Sequence, residues 1–243
     1  MTALYDRIGL NYADLRRPDA RIAQLIHSAL GGARTVLNVG AGTGSYEPEH
    51  CDVTAIEPSA EMIAQRSPAA GKAIQAAAEN LPFADNSFDA AMATLTIHHW
   101  SDQAKGCAEI RRVTRGSIVF LTFDPAFRGL WLTDYFPELI TLDEAIMPAM
   151  EMYSEWLGNV EVKPVPIPHD CTDGFLAAYW RRPTAYLDER VRKAMSSFWK
   201  AGDVSHGLAR LTDDLRSGEW ERRYGALLEH DTLDCGYRLV RTV

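Results

Sequence analysis

Val36 to Pro48 reads VLNVGAGTGSYEP, an aliphatic run that breaks into glycines at alternate positions, Gly40, Gly42 and Gly44. Residues without a Cβ let a chain turn sharply at the end of a strand and let a ligand come close to the backbone. The spacing excludes the dinucleotide pattern GxGxxG, because counting from Gly40 the third glycine falls on Ser45. Upstream, Ile22, Leu25, Ile26 and Leu30 recur at helical spacing and predict a helix over Ala20 to Leu30, stopped by Gly31-Gly32. Downstream, short, nearly continuous apolar runs predict strands at Val53 to Ile56, Ala73 to Ala76, Phe88 to Leu95 and Ser117 to Phe123, with Thr35 to Val39 as the first. Such runs suit strands buried on both faces. Ser59 caps a predicted helix to about Arg66, and Ser101-Asp102 caps another reaching Val113. The alternation implies an α/β fold, an open, mostly parallel sheet with helices on both faces and ligands at the strand C-termini.

Beyond Asp124 the composition shifts to aromatics and longer amphipathic stretches. The expectation is one domain over residues 1–243 with a helical cap built from 126–158 and 172–228. Helices are predicted at Thr172 to Trp180, Pro183 to Lys200, Leu208 to Arg216 and Glu219 to Leu228. Val160 to Ile167 carries prolines that suit an edge strand, and Leu233 to Val243 reads as the last strand. The 243 residues carry a formal charge of −8 and no run of Lys or Arg longer than a pair. Nucleic-acid affinity rests on clustered positive charge, so a nucleic-acid partner is not expected and a cationic or neutral small molecule fits better. Four scattered cysteines without CxxC signal neither zinc nor disulfides. No apolar stretch approaches the length of about 20 residues that a membrane span needs. A cytoplasmic protein with no membrane partner is expected.

Two further blocks sharpen the reading. VTAIEP, Val53 to Pro58, puts Glu57 at the end of the second strand, where its two oxygens can accept both hydroxyls of a ribose. AAAENLPFADNSFD, Ala76 to Asp89, places an acid-containing turn between strands three and four. With these blocks in order, residues 5–124 resemble the class I S-adenosylmethionine (SAM)-dependent methyltransferases, in particular the small-molecule group related to the ubiquinone, menaquinone and trans-aconitate enzymes.

The resemblance implies a Rossmann-like fold, SAM as cofactor, no metal, and a small-molecule acceptor. It places Gly40, Ala41, Gly42 and Gly44 around the methionine part, Glu57 at the ribose, Pro58 and Met62 beside the adenine, and Ala78 and Glu79 at its edge. Tyr5, Tyr12 and Arg16 would lie over the cofactor carboxylate, and Asn38 and Leu95 would also belong to the cofactor-binding set. Three departures stand out. Asn38 replaces the family's usual acid, Ala77 replaces an Asp before the adenine-edge turn, and only Ser45 to Asp52 separates the glycine loop from strand two, too short for the usual helix.

Methyl transfer needs alignment of the nucleophile, exclusion of water and, where the nucleophile is protonated, a base. TLTIHHW, Thr94 to Trp100, follows strand four and offers His98 and His99, with Tyr12 a further candidate. Base, positioning group and packing residue all remain open for the histidines, and an extended chain would aim only one of them at the cofactor. Two alternatives also remain: attack by the cofactor's own amino group, giving methylthioadenosine and azetidine-2-carboxylate, and SAM binding without catalysis. Ala126 to Gly158 or Tyr5 to Arg17 would act as a lid.

Overall fold

The computed structural model describes residues 15–243. Helix α1 (Ala20–Leu30) starts where the Asp19 carboxylate accepts the Arg21 amide and stops at Gly31. Ile22, Ile26, Ala29 and Leu30 form its buried stripe, whereas Leu25, expected on that stripe, is 41% exposed. Strands β1 (Thr35–Val39), β2 (Asp52–Ile56), β3 (Lys72–Ile74), β4 (Ala90–Thr94) and β5 (Ile118–Phe123) pair in parallel. β6 (Val160–Pro168) and β7 (Thr232–Thr242) extend the sheet, β7 running antiparallel to both of its neighbours. The order is β3-β2-β1-β4-β5-β7-β6. β6 is therefore an edge strand, as its prolines require, and its register slips between Pro164 and Pro166.

Period-two alternation divides the core between the two faces of the sheet. In β4, Ala90 and Met92 join one buried cluster while Ala91 and Ala93 join the other. The first cluster takes in α1, α4 (Leu132–Tyr135) and aromatics from residues 175–198. The second takes in α3 (Gln103–Val113) and α6 (Met150–Leu157). Helices thus cover both faces. Because the chain goes from β1 outward to β3 and then returns to place β4 on the other side of β1, the strand order reverses there. A crevice opens at the C-terminal ends of β1 and β4, where open α/β sheets bind ligands.

The caps are those read from the sequence: Ser59 accepts the Met62 amide at the start of α2 (Ala60–Ala64), and Asp102 accepts the Lys105 amide at the start of α3. Turns alone join β1 to β2. The later helices need correction. Residues 172–180 form turns, not a helix, because long-range partners take their polar groups: the Gly174 amide donates to the Leu15 carbonyl and Asp173 binds Arg16. Residues 183–200 break into a 3₁₀ turn (Pro183–Leu187), α7 (Glu189–Lys193) and α8 (Ser196–Lys200). Asp188 supplies one break by accepting the Arg190 amide as a new N-cap. The segment 126–158 is helical as expected, as α4, α5 (Glu138–Ile146) and α6, and α9 (Ser205–Ser217) and α10 (Glu219–Tyr224) follow. Of the aromatics beyond Asp124, Trp131, Tyr135, Phe136, Tyr153 and Trp180 are buried in the core, and Trp156 and Tyr179 are half-buried against it.

Candidate active site

The glycine loop is held from below by the neighbouring strand. Gly40 and Ala41 both donate their amides to the Ile56 carbonyl, at 2.8 and 3.0 Å. Gly40 has φ 68°, and a Cβ there would lie 2.0 Å from Thr96 Oγ1, so glycine is required on conformational and steric grounds alike. Gly42, at φ 53°, donates its amide to Glu57 Oε2 at 2.8 Å, and the other carboxylate oxygen of Glu57 accepts the Ser59 amide at 2.9 Å. Glu57 is 6% exposed. Its carboxylate therefore fixes the glycine loop to the start of α2, and a carboxylate has about four acceptor positions in all.

A cavity of about 620 Å³ lies above this loop, within the range of small-molecule and cofactor sites. Arg16, Gly40, Ala41, Gly42, Glu57, Pro58, Met62, Ala78, Glu79, Leu95, His98 and His99 line it, all of them expected from the sequence. Tyr5 and Tyr12 lie outside the described residues. Asn38 and Gly44 are not in the lining. Asn38 is fully buried and donates its Nδ2 to Glu47 Oε1 at 2.9 Å, while its Oδ1 has no hydrogen-bond partner. Glu47 in turn pairs with Arg66 at 2.9 Å, and both side chains are almost entirely buried. Gly44 packs against that ion pair. Glu79 reaches across to the start of α3, where one oxygen accepts the amides of Ser101 and Asp102 and the Ser101 hydroxyl. Burial disfavours its ionisation, but those hydrogen bonds outweigh burial and hold the carboxyl below its usual value.

The histidines depart from the extended-chain argument. Thr96 begins a 3₁₀ turn over Ile97–His99, which turns both rings to one side, with centroids 3.9 Å apart and both on the cavity. Leu95, just before it, has φ 52°. Burial, then the nearby charges of Lys200 and Arg16, pushes His98 down to about 3. His99 is also held well below its ordinary value, first by burial. Both rings are therefore neutral at physiological pH, and a group so reluctant to take a proton is a weak general base. Lys200 of α8 sits 3.4 Å from His99 Nδ1 and lines the same cavity. Nothing in the sequence marked it, because it comes from a short helix about 100 residues beyond the histidines. Trp100 also lines the cavity and packs on Gly106, where a Cβ would meet its ring at 2.6 Å.

Residues 37–121 match the family model described as a methyltransferase domain. A putative methyltransferase from an antibiotic biosynthesis pathway of Anabaena variabilis is 38% identical, with a TM-score of 0.87 over 95% of this chain and 100% of that one. The 2-methyl-6-phytyl-1,4-hydroquinone methyltransferase 2 of Oryza sativa is 29% identical over 144 residues, 54% of this chain and 40% of its own. The ubiquinone/menaquinone biosynthesis C-methyltransferase of Citrifermentans bemidjiense is 35% identical over 123 residues, 42% of this chain and 52% of its own. The chain spans about half the length of the curated relatives it matches. Since the similarity to the Anabaena protein runs the whole length of that molecule, and the glycine loop and the carboxylate after β2 stand on the fold shared with it, this chain belongs to the class I SAM-dependent methyltransferases.

Proposed function

We propose that the protein transfers the methyl group of SAM to a small-molecule acceptor. The observation that carries this is the cavity of about 620 Å³ at the strand-order reversal, floored by a loop that only glycine can form at Gly40 and flanked by the Glu57 carboxylate. Those residues suit the cofactor: exposed backbone for a close approach, and a carboxylate whose oxygens can accept ribose hydroxyls. When bound, SAM supplies an electrophilic methyl on a positively charged sulfur.

The chain's own residues bind, orient and exclude water. Glu57 holds the ribose while fixing the loop, Pro58 and Met62 flank the adenine, and Ala78 with the backbone before Glu79 meets its edge. Glu79 supports that edge from α3. Arg16, with Tyr5 and Tyr12, meets the cofactor carboxylate, and Lys200 adds positive charge on the same side. His98 and His99 form a neutral, close-packed wall that positions the reacting groups without taking a proton. The segments 126–158 and 172–228 act as the cap of a single domain.

The test is to incubate the purified protein with SAM, alone and with a panel of small acceptors, and identify the nucleoside product by mass. S-adenosylhomocysteine formed only with an acceptor supports methyl transfer. Methylthioadenosine formed without any acceptor would replace it with cyclisation, and tight SAM binding with neither product would replace it with a binding role.

A further inference from the structure

A second, smaller space of about 60 Å³ adjoins the cofactor cavity. Arg16, Leu95 and His98 line both and so form the partition between them. Asp143 of α5, which is 9% exposed, lines the smaller space and not the cofactor cavity. Among the described residues its carboxyl makes no hydrogen bond and no ion pair, while its backbone carbonyl accepts the Met147 amide. The rest of the lining is mostly apolar, Phe123 and Phe175 included, with Ser196, Ser197 and Tyr237 as its other polar members.

The charges around this space do not answer Asp143. Arg16 pairs with Asp173 at 2.5 Å. Arg128, the cation whose charge reaches Asp143, is bound to Glu144 and to the Pro125 carbonyl. His98 is held neutral, and its Nδ1 is buried without a hydrogen-bond partner. Tyr237 is the remaining titratable group on the wall, and burial keeps its phenol protonated. A buried carboxylate without a partner is costly, and a functional cavity keeps such a group where a ligand completes it.

We propose that this space receives the ammonium group of a small aliphatic acceptor, with Asp143 as its counter-charge; the ammonium keeps its proton there and anchors the molecule, and the methyl goes to a different atom of it, on the cofactor side of the partition. This rests on the methyl-transfer reading and names, for it, a charged group that the acceptor carries. A cation answers the carboxylate in the wall that has no partner among the described residues, and Phe123 and Phe175 line the same space. An anionic acceptor is repelled by the same carboxylate, and a neutral alcohol leaves its charge unbalanced. The volume limits what enters to a group of a few heavy atoms, so selectivity at this end is for size as well as charge. Burial pushes the Asp143 carboxyl up to about 7, Arg128 opposing this only in part, so a bound cation has a large desolvation cost to relieve.

The test uses the full chain and three probes of one shape: n-propylammonium, n-propanol and propionate. Each is titrated calorimetrically into protein saturated with S-adenosylhomocysteine. Propylammonium should bind at least tenfold more tightly than propanol, and propionate should not bind. Asp143→Asn should lower the propylammonium affinity at least tenfold while leaving the affinity for S-adenosylhomocysteine unchanged. Equal binding of propanol and propylammonium, no binding of propylammonium, or an unchanged Asn variant would overturn the proposal. The wild-type selectivity decides even if the variant fails to fold. A preliminary titration with S-adenosylhomocysteine alone separates the two readings: if it does not bind, the cofactor assignment fails, and the three probes titrated without it still decide the role of Asp143.

Discussion

Replacing Glu57 by glutamine tests the centre of the site, because that carboxylate has two tasks at once. In the wild type both oxygens accept backbone amides, from Gly42 at 2.8 Å and from Ser59 at 2.9 Å. Glutamine has one acceptor and one NH₂, so whichever way the side chain is turned, one of those amides faces a donor. One charge-assisted bond is lost and the other becomes neutral, which costs about 2–4 kcal/mol. For a domain of this size that lowers Tm by roughly 5–15 °C. The cofactor should bind at least tenfold more weakly, since the loop it rests on loses its anchor and the ribose loses a charged acceptor. Scanning calorimetry without ligand reads the first effect, and titration with S-adenosylhomocysteine reads the second. A variant with wild-type Tm would refute the claim that Glu57 holds the loop. One with lowered Tm but wild-type affinity would remove Glu57 from the ribose.

Gly40→Ala should abolish detectable cofactor binding by titration while the chain still folds, because the added Cβ collides with Thr96 in the wall of the cavity; wild-type affinity would contradict the close fit. Arg66→Met should cost about 3–5 kcal/mol in denaturant unfolding by stranding the buried Glu47 charge, and adding Glu47→Gln should recover much of it. Non-recovery would show that the ion pair is not the cause. His98 has a folded pKa below its unfolded value, so between about 6.5 and about 3 the unfolded chain binds the proton that the folded chain refuses. The stability of wild type relative to His98→Gln should therefore fall as pH drops through that window and be constant above it. The pH profiles of turnover for the two proteins should coincide between pH 6 and 8, and a limb near neutrality lost only in the variant would restore His98 as a base.

Much of the site could be read from the sequence because its chemistry is local. Gly40 to Gly44 and Glu57 lie at strand ends, and strand ends follow from short apolar runs bounded by glycine or a capping side chain. The helix caps at Ser59 and Asp102 are local in the same sense. What failed was non-local. The 172–180 turns are set by hydrogen bonds to Leu15 and Arg16, more than 150 residues away, and no periodicity reports those partners. Lys200 and Asp143 reach the two cavities only through the packing of the cap segments, and a lone Lys or Asp on a short helix looks like any surface charge. The histidines failed for a smaller reason: two adjacent residues diverge in a strand but not in a 3₁₀ turn.

Because turns join β1 to β2, Tyr46 has come to occupy interior space in that connection, 3% exposed and at φ 65°. Its hydroxyl donates to one oxygen of Asp173 at 2.7 Å, while the other oxygen holds Arg16. Three positions from three distant stretches of chain therefore constrain one another's substitution. Phenylalanine at 46 would leave Asp173 short of a donor, and a neutral residue at 173 would take the Asp173 carboxylate away from Arg16 at the cavity wall. Lineages that drift at one of these sites should change the others with it. A designer who lengthened the connection to restore a helix there would have to rebuild the Asp173 segment in the same step.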